Sequence, residues 1–369
     1  MMEVNHYIAR IAQNCVECGQ CASSCIFLNQ TGQSPLTIAR REIAVSEAFS
    51  CALCGACEAV CPQGLSPKEM FGARRKAAIT NEEIDINEYR YMFPDRKNNV
   101  MTAYRKHFDI DYSDIDQFDE ADTCFFPGCT LMTYSPQLTR KVFEHLQTSC
   151  HCQGMWTACC GKSLDQMGLQ NRLQQMHSNL KAFVQERNIK RIISACPGCH
   201  YELQEVFQAS DVVIQTVYEV LDLGERVSTD RRLCTVHDSC PDRFAGIFSA
   251  QIRQALDQCG FSITEMIHNK AHTLCCGSGG QISHFRPDLV EKLVEMRQKE
   301  ARLTDADIFV GYCLSCVLKY DGKMNGIPVT HALNLLLGVE EDFEGAKARA
   351  TSMFSGSYGE AIWKEIMDD

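Results

Sequence analysis

Two Cys-Cys-Gly triplets, Cys159-Cys160-Gly161 and Cys275-Cys276-Gly277, constrain this chain more than any other feature. Each is the centre of a five-cysteine set. The first comprises Cys129, Cys159, Cys160, Cys196 and Cys199; the second comprises Cys240, Cys275, Cys276, Cys313 and Cys316. From the second Cys of each triplet to the next C-x2-C pair there are 35 and 36 residues. Two adjacent thiols cannot easily take two corners of one ordinary cubane. A repeated Cys-Cys pair with three further thiols therefore points to an unusual metal–sulfur site, built twice.

The surrounding sequence repeats with the cysteines, at offsets of 111, 116 and 117 residues. The first copy opens on a strand-like TCFFPGCT (123–130) and continues into a helix, PQLTRKVFEHLQ. The triplet in WTACCGKS precedes a helix near Asn171–Arg187, a strand RIISACPGCH (191–200) and a closing strand VVIQTVYEVL. In the second copy CTVHDSC (234–240), a helix ending at Gly260, TLCCGSGG, a helix from Pro287 to Arg302, DIFVGYCLSC (307–316) and PVTHALNLLLG (328–338) follow in the same order. Short strands alternating with helices imply parallel α/β units. Ligands of such units collect beyond the carboxyl ends of the strands, where these cysteines lie. The expected architecture is an α-helical ferredoxin domain followed by a duplicated α/β domain, its two units related by a pseudo-twofold axis with the two metal sites facing a shared cleft.

The ferredoxin expectation comes from the N-terminus. Residues 15–25 read CVECGQCASSC and residues 51–62 read CALCGACEAVCP. Both are C-x2-C-x2-C-x3-C runs, the ligand spacing of two-cluster ferredoxins, in which the fourth Cys of each run serves the other cluster. Cys15, Cys18, Cys21 and Cys61 are expected to hold one cubane [4Fe–4S] cluster, and Cys51, Cys54, Cys57 and Cys25 the other. Paired CxxC motifs also bind zinc, but two complete four-Cys runs in tandem favour iron–sulfur clusters. Pro35 suits a first helical turn, Leu36, Ile38, Ala39, Ile43, Ala44 and Val45 suit a partly buried helix, and another helix follows Pro67. The boundaries that result are 1–80 for the helical module, 81–120 for a charged, aromatic linker read as solvated, 121–228 and 229–345 for the two copies, and 346–369 for a C-terminal tail.

Twenty-three cysteines in 369 residues could also mean a disulfide scaffold. That device serves small secreted domains lacking a core, and this chain is long and apolar enough to build one. MMEVNHYIAR lacks the basic and apolar regions of a signal peptide. No apolar run approaches the roughly 20 residues of a membrane span; Ala332 to Val339 reads as a short core segment. A cytoplasmic protein with reduced, metal-binding thiols is expected, with peripheral membrane attachment only through a partner. The net charge of −11 argues against nucleic acid and anionic lipid as partners.

At this point a resemblance is specific. The repeated triplets resemble those of the CCG-domain family, in particular the catalytic subunit of heterodisulfide reductase, and the N-terminal module resembles that enzyme's small ferredoxin subunit. The resemblance covers residues 5 to about 340 and looks like the fused form. It implies that each five-Cys set holds a noncubane [4Fe–4S] cluster, one Cys bridging fused Fe–S units. It also implies that a disulfide, in that family the one joining coenzyme M and coenzyme B, is reduced between two such clusters, fed by the two cubanes. A flavoprotein subunit in a hetero-oligomeric complex is the implied electron partner. Iron–sulfur subunits of glycolate oxidase, anaerobic glycerol-3-phosphate dehydrogenase and lactate-utilisation enzymes share the repeats and relay electrons from a flavin toward quinone without reducing a disulfide. In several of them one repeat lacks ligands; here both sets are complete, which favours the reductase-like reading over the relay.

Among other residues, His237 lies three before Cys240 and is the candidate proton donor to a departing thiolate; His200, directly after Cys199, is the other His so placed. Cys124, Cys150, Cys152, Cys234 and Cys259 fall outside the sets and read as small buried side chains. Gly277-Ser278-Gly279-Gly280 lacks the Lys-Ser/Thr ending of a phosphate loop, and its glycines suit close backbone approach to a cluster. No flavin or nucleotide site is expected, so electrons come from, or go to, another subunit.

Overall fold

The computed structural model describes residues 2–116, 122–223 and 232–368. The N-terminal module is helical throughout, from Met2–Asn14 to Pro67–Thr80. The segment 34–50, expected as one helix, is two: Pro35–Ala39, capped by the Ser34 side chain, and Val45–Phe49. Ser66 caps Pro67–Thr80 in the same way, accepting from the Glu69 amide. The two cysteine runs build one loop twice. Glu17 and Leu53 have φ of 51° and 50°, and Gly19 and Gly55 have 77° and 74°. Left-handed residues at matching positions turn each loop back on itself, and for Glu17 and Leu53 this costs about 1–2 kcal/mol each. Ile11, Phe27, Leu28, Ile38, Ile43, Met70 and Phe71 form the core, which Ile282, Leu289 and Val290 of the second cysteine-rich unit join.

Two four-stranded, all-parallel sheets follow. β1 (Thr123–Phe126), β2 (Gly154–Met155), β3 (Arg191–Ser194) and β4 (Val213–Thr216) are ordered β2-β1-β3-β4. β5 (Leu233–His237), β6 (Ser262–Ile263), β7 (Ile308–Gly311) and β8 (Val329–His331) are ordered β6-β5-β7-β8. Cys124 pairs with Ile192 and Cys234 with Ile308, the same register in both copies. Helices Pro136–Cys150, Gln170–Glu186, Ile247–Gln258 and Pro287–Arg302 lie where helical spacing was expected.

Several elements differ from expectation, each for a local reason. The closing segments are strands for only three or four residues and then turn helical, at Val217–Val220 and Ala332–Leu337. Thr216 and Glu219 form a capping box in the first, and the His331 ring accepts from the Leu333 amide in the second. The C-x2-C pairs do not sit wholly on strands: Cys196 and Cys313 are the N-caps of helices Pro197–Phe207 and Leu314–Tyr320. The two-residue edge strands β2 and β6 are too short to leave any periodicity.

The segment 81–120 is not a solvated strip. It holds a 3₁₀ turn, Ile86–Met92, and a helix, Val100–His107, and it buries Phe93, Tyr104 and Tyr112. Residues 117–120, and the expected boundary at 228/229, lie outside the described residues. The expected tail from 346 instead contributes to two helices, Phe343–Ser352 and Gly356–Asp368, with Met353 and Ile366 buried. Glu365 pairs with Lys106 at 2.9 Å, clasping the last helix to the connector. Among the described residues no helix is long and apolar enough to cross a membrane.

Candidate metal centre

The N-terminal loops bring their thiols into two groups. Cys15, Cys18, Cys21 and Cys61 line one cavity of about 270 Å³, which Cys57 also borders, with Cys18 exposed. Cys25, from the first run, stands instead among Cys51, Cys54 and Cys57, whose charges act on it. Burial pushes the Cys25 thiol up to about 12 and Cys51 up to about 11, where Arg75 pulls in the opposite direction. The fully buried Arg75 is itself fixed by backbone carbonyls of Ala48 (2.9 Å), Gln166 (2.6 Å), Gly280 (2.8 Å) and Cys51, which ties the module to both α/β units.

The five-Cys sets form where β-strands give way to loops and helix starts. Cys129 opens helix Cys129–Tyr134 after β1, the triplet occupies the loop before Lys162–Met167, and Cys196 and Cys199 cap and enter Pro197–Phe207. The third member of each triplet is glycine for a steric reason. Gly161 and Gly277 have φ of 90° and 79°, and a Cβ would fall 2.8 Å from Leu173 and 2.9 Å from Val290. Only glycine lets the chain turn there and hold both adjacent thiols on the same site.

Within the first set, Cys129 hydrogen-bonds Cys159, Cys159 hydrogen-bonds Cys160, Cys160 reaches Cys199, and Cys199 reaches Cys196. Within the second, Cys240 meets Cys275, Cys276 lies 3.1 Å from Cys316, and Cys316 meets Cys313. The sets also touch. Cys196 and Cys313 stand side by side and act on each other's thiols, and these two residues are equivalent in the repeat. A contact between equivalent positions is what a pseudo-twofold axis produces. Two neighbouring contacts obey the same relation: Thr130 Oγ1 lies 3.1 Å from Ser315 Oγ, and Gly198 abuts Pro241. At the far edge of the second set, Cys54 of the ferredoxin module hydrogen-bonds both Cys240 and Cys275. Thiols thus run from the N-terminal module through the second set to the first.

The chemistry of this donor set fits bound iron–sulfur clusters. Hydrogen bonding to Cys276 and burial hold Cys316 well above the usual thiol range, and hydrogen bonds to Cys129 and Cys160 with burial do the same for Cys159. Buried thiols crowded this closely repel one another as thiolates, and a bound cation relieves that repulsion.

His237 is 1 % exposed at the end of β5, and its ring lies with Cys276 and Cys316 in a group whose ligand atoms are all within 4.8 Å. Burial holds its pKa below the usual value against the pull of the neighbouring Cys276 thiol. His200 is equally buried but bonded through Nδ1 to Ser194 at 2.8 Å. Cys124, Cys152, Cys234 and Cys259 are core side chains, and Cys150 is half-buried, bonded to the Leu146 carbonyl.

Sequence reasoning missed the cations that accompany the thiols. Besides Arg75 they are Arg243 beside Cys54 and Cys240, Arg297 beside His237, Arg105 beside Cys129 and Cys159, and Lys162 beside Cys160. Lys162 and His177 both pair with the buried Glu202, at 3.5 and 3.1 Å. Lys162 and Arg243 carried a sequence signal, following the first triplet directly and Cys240 by three residues; Arg75, Arg105 and Arg297 lie far in sequence from the groups they face.

Comparison with known proteins identifies the two kinds of domain. The 4Fe-4S dicluster domain family matches residues 11–65, and the cysteine-rich domain family matches 123–204 and 234–320. One subunit of the dihydromethanophenazine:CoB–CoM heterodisulfide reductase of Methanosarcina mazei is 25% identical over 82% of this chain and 87% of its own length. A probable glycolate oxidase iron-sulfur subunit from Bacillus subtilis is 20% identical over 88% of this chain and 93% of its own. Lactate utilization protein A 1 of Bacillus mycoides is 26% identical, over 55% of this chain and 91% of its own.

Proposed function

We propose, from the premise that this chain is an iron–sulfur electron-transfer protein joining a 4Fe-4S dicluster domain to two cysteine-rich domains, that it is the disulfide-reducing subunit of a larger redox complex. The observation that carries this reading is the contact of Cys196 with Cys313. It sets two complete five-Cys sets edge to edge, so that both sulfurs of one S–S bond can be served from opposite sides.

In this reading Cys15, Cys18, Cys21 and Cys61 hold one cubane, Cys51, Cys54, Cys57 and Cys25 hold the other, and each five-Cys set holds a noncubane [4Fe–4S] cluster. Bound clusters supply electrons one at a time, whereas thiol–disulfide exchange moves two at once. The reaction balances as one disulfide plus two electrons and two protons giving two thiols. The chain's own residues do the positioning. Cys54 brings the inner N-terminal group against Cys240 and Cys275, and the Cys196–Cys313 pair fixes the distance between the sets. His237 is buried with its ring against the Cys276 sulfur, and its role is to hydrogen-bond and stabilise sulfur on that side. The exposed Cys18 marks the face where electrons arrive from a flavoprotein partner.

The test is single turnover without oxygen. Dithionite-reduced protein mixed with an asymmetric alkyl disulfide should release two thiols per disulfide consumed, and C196S should abolish release. Reduced protein that passes its electrons to a quinone analogue but releases no thiol would instead be a relay for a flavin dehydrogenase. Replacing His237 by Gln should slow thiol release and alter its pH profile.

A further inference from the structure

The duplication permits a comparison of what covers the same edge of each set. In the second copy the edge formed by Cys240 and Cys275 is covered by Cys54, a redox ligand of the N-terminal module. In the first copy the equivalent edge, Cys129 and Cys159, is covered by Arg105 from helix Val100–His107 of the connector. Arg105 is half-buried, and the charges that act on it are the Cys129 and Cys159 thiols with the Tyr112 and Tyr134 hydroxyls.

Its place is fixed. Nη1 donates to Thr133 Oγ1 at 2.7 Å, and that hydroxyl donates to the Cys129 carbonyl at 2.8 Å. Tyr112 donates to the Met132 carbonyl at 2.8 Å, and Asn99 caps the helix by accepting from the Met101 and Thr102 amides. The other arginines near the thiols bond to carbonyls and carboxylates: Arg243 to the carbonyls of Cys54, Ala271 and Thr273, and Arg297 to Glu300 at 3.0 Å. Among these arginines, Arg105 is the one whose guanidinium is bonded to a hydroxyl that itself leads back to a ligand's backbone.

We infer that Arg105 is a positioning residue that raises the reduction potential of the first set. An electron arriving there adds one negative charge to a buried group of thiolates. A fixed guanidinium beside Cys129 and Cys159 stabilises that charge, more strongly than in water because the surroundings are partly desolvated. No proton moves, and Arg105 itself exchanges no electron. The inference rests on the reading that Cys129 and its partners hold a cluster.

The experiment is a dye-mediated redox titration of the full chain, purified without oxygen and followed by EPR. C129S identifies the signal of the first set. R105Q should lower the affinity of that set for one electron about tenfold, which is about 59 mV for a one-electron couple, and leave the N-terminal signals in place. R105K, which keeps the charge, should restore most of the shift. If R105Q loses iron, T133V keeps the charge but frees Nη1, and it should shift the same signal negatively by less. If C129S changes neither iron content nor any signal, the cluster reading fails. If C129S removes a signal that R105Q and T133V leave at its original potential, or that R105K shifts as far as R105Q, only the role of Arg105 fails.

Discussion

Replacing Arg75 by Met probes how the three parts of the chain are held together. The side chain is 0 % exposed and donates to carbonyls of Ala48, Cys51, Gln166 and Gly280, which belong to the N-terminal module and to both α/β units. Met fills much of the volume but donates nothing. A buried acceptor left without its donor costs roughly 1–3 kcal/mol. Four acceptors served by one side chain do not add fully; a loss of about 3–5 kcal/mol results. That is a fifth or more of the roughly 5–15 kcal/mol a folded protein has. The assay is urea unfolding without oxygen, wild type against R75M at one protein concentration, with iron content measured on both. The midpoint should fall, and iron should be lost first from the cysteines nearest Arg75, including Cys51. An R75M midpoint equivalent to less than about 1 kcal/mol of destabilisation would refute the reasoning, since it would mean the carbonyls are satisfied without the guanidinium.

Gly277→Ala should destabilise by about 2–4 kcal/mol, combining a left-handed alanine with a Cβ 2.9 Å from Val290; adding V290A should recover the clash but not the backbone cost, as thermal unfolding of the three proteins would read. Glu202 holds the His177 imidazole above its ordinary value of 6.5. Its contribution is therefore present in full below pH 6.5 and lost as pH rises through the higher folded value, so H177Q should flatten the stability profile above pH 6.5 and leave it unchanged in shape at higher pH still. Deleting the last helix by truncation before Gly356 removes the Lys106–Glu365 pair and exposes the connector; proteolysis should then cut within 86–107 sooner than in the full chain.

The cysteines made the architecture legible because their spacing is set by chemistry rather than by packing. Two four-Cys runs, two triplets and two C-x2-C pairs fix where loops must converge, and strands such as Thr123–Phe126 and Ile308–Gly311 announce themselves as apolar runs just before them. What was hidden depends on contacts distant in sequence. The Cys196–Cys313 pair joins residues 117 apart, and Arg75 reaches Gly280 across 205 positions. The short helices after β4 and β8 were hidden for a different reason: a capping box and a His side chain override runs whose apolar content suits a strand. Charge-rich composition made the connector look solvated, while its buried positions, Phe93, Tyr104 and Tyr112, are too far apart to mark a face.

The claim at the centre is that two five-cysteine sets, meeting at Cys196 and Cys313, each hold a cluster beyond the two of the N-terminal module. Iron and acid-labile sulfide per chain, measured on protein purified without oxygen, decide it. Four clusters require about sixteen iron atoms per chain, at four to a cluster, and C196S or C313S should lower the count. A value near eight that neither variant changes would leave the cysteine-rich sets without clusters and contradict the claim.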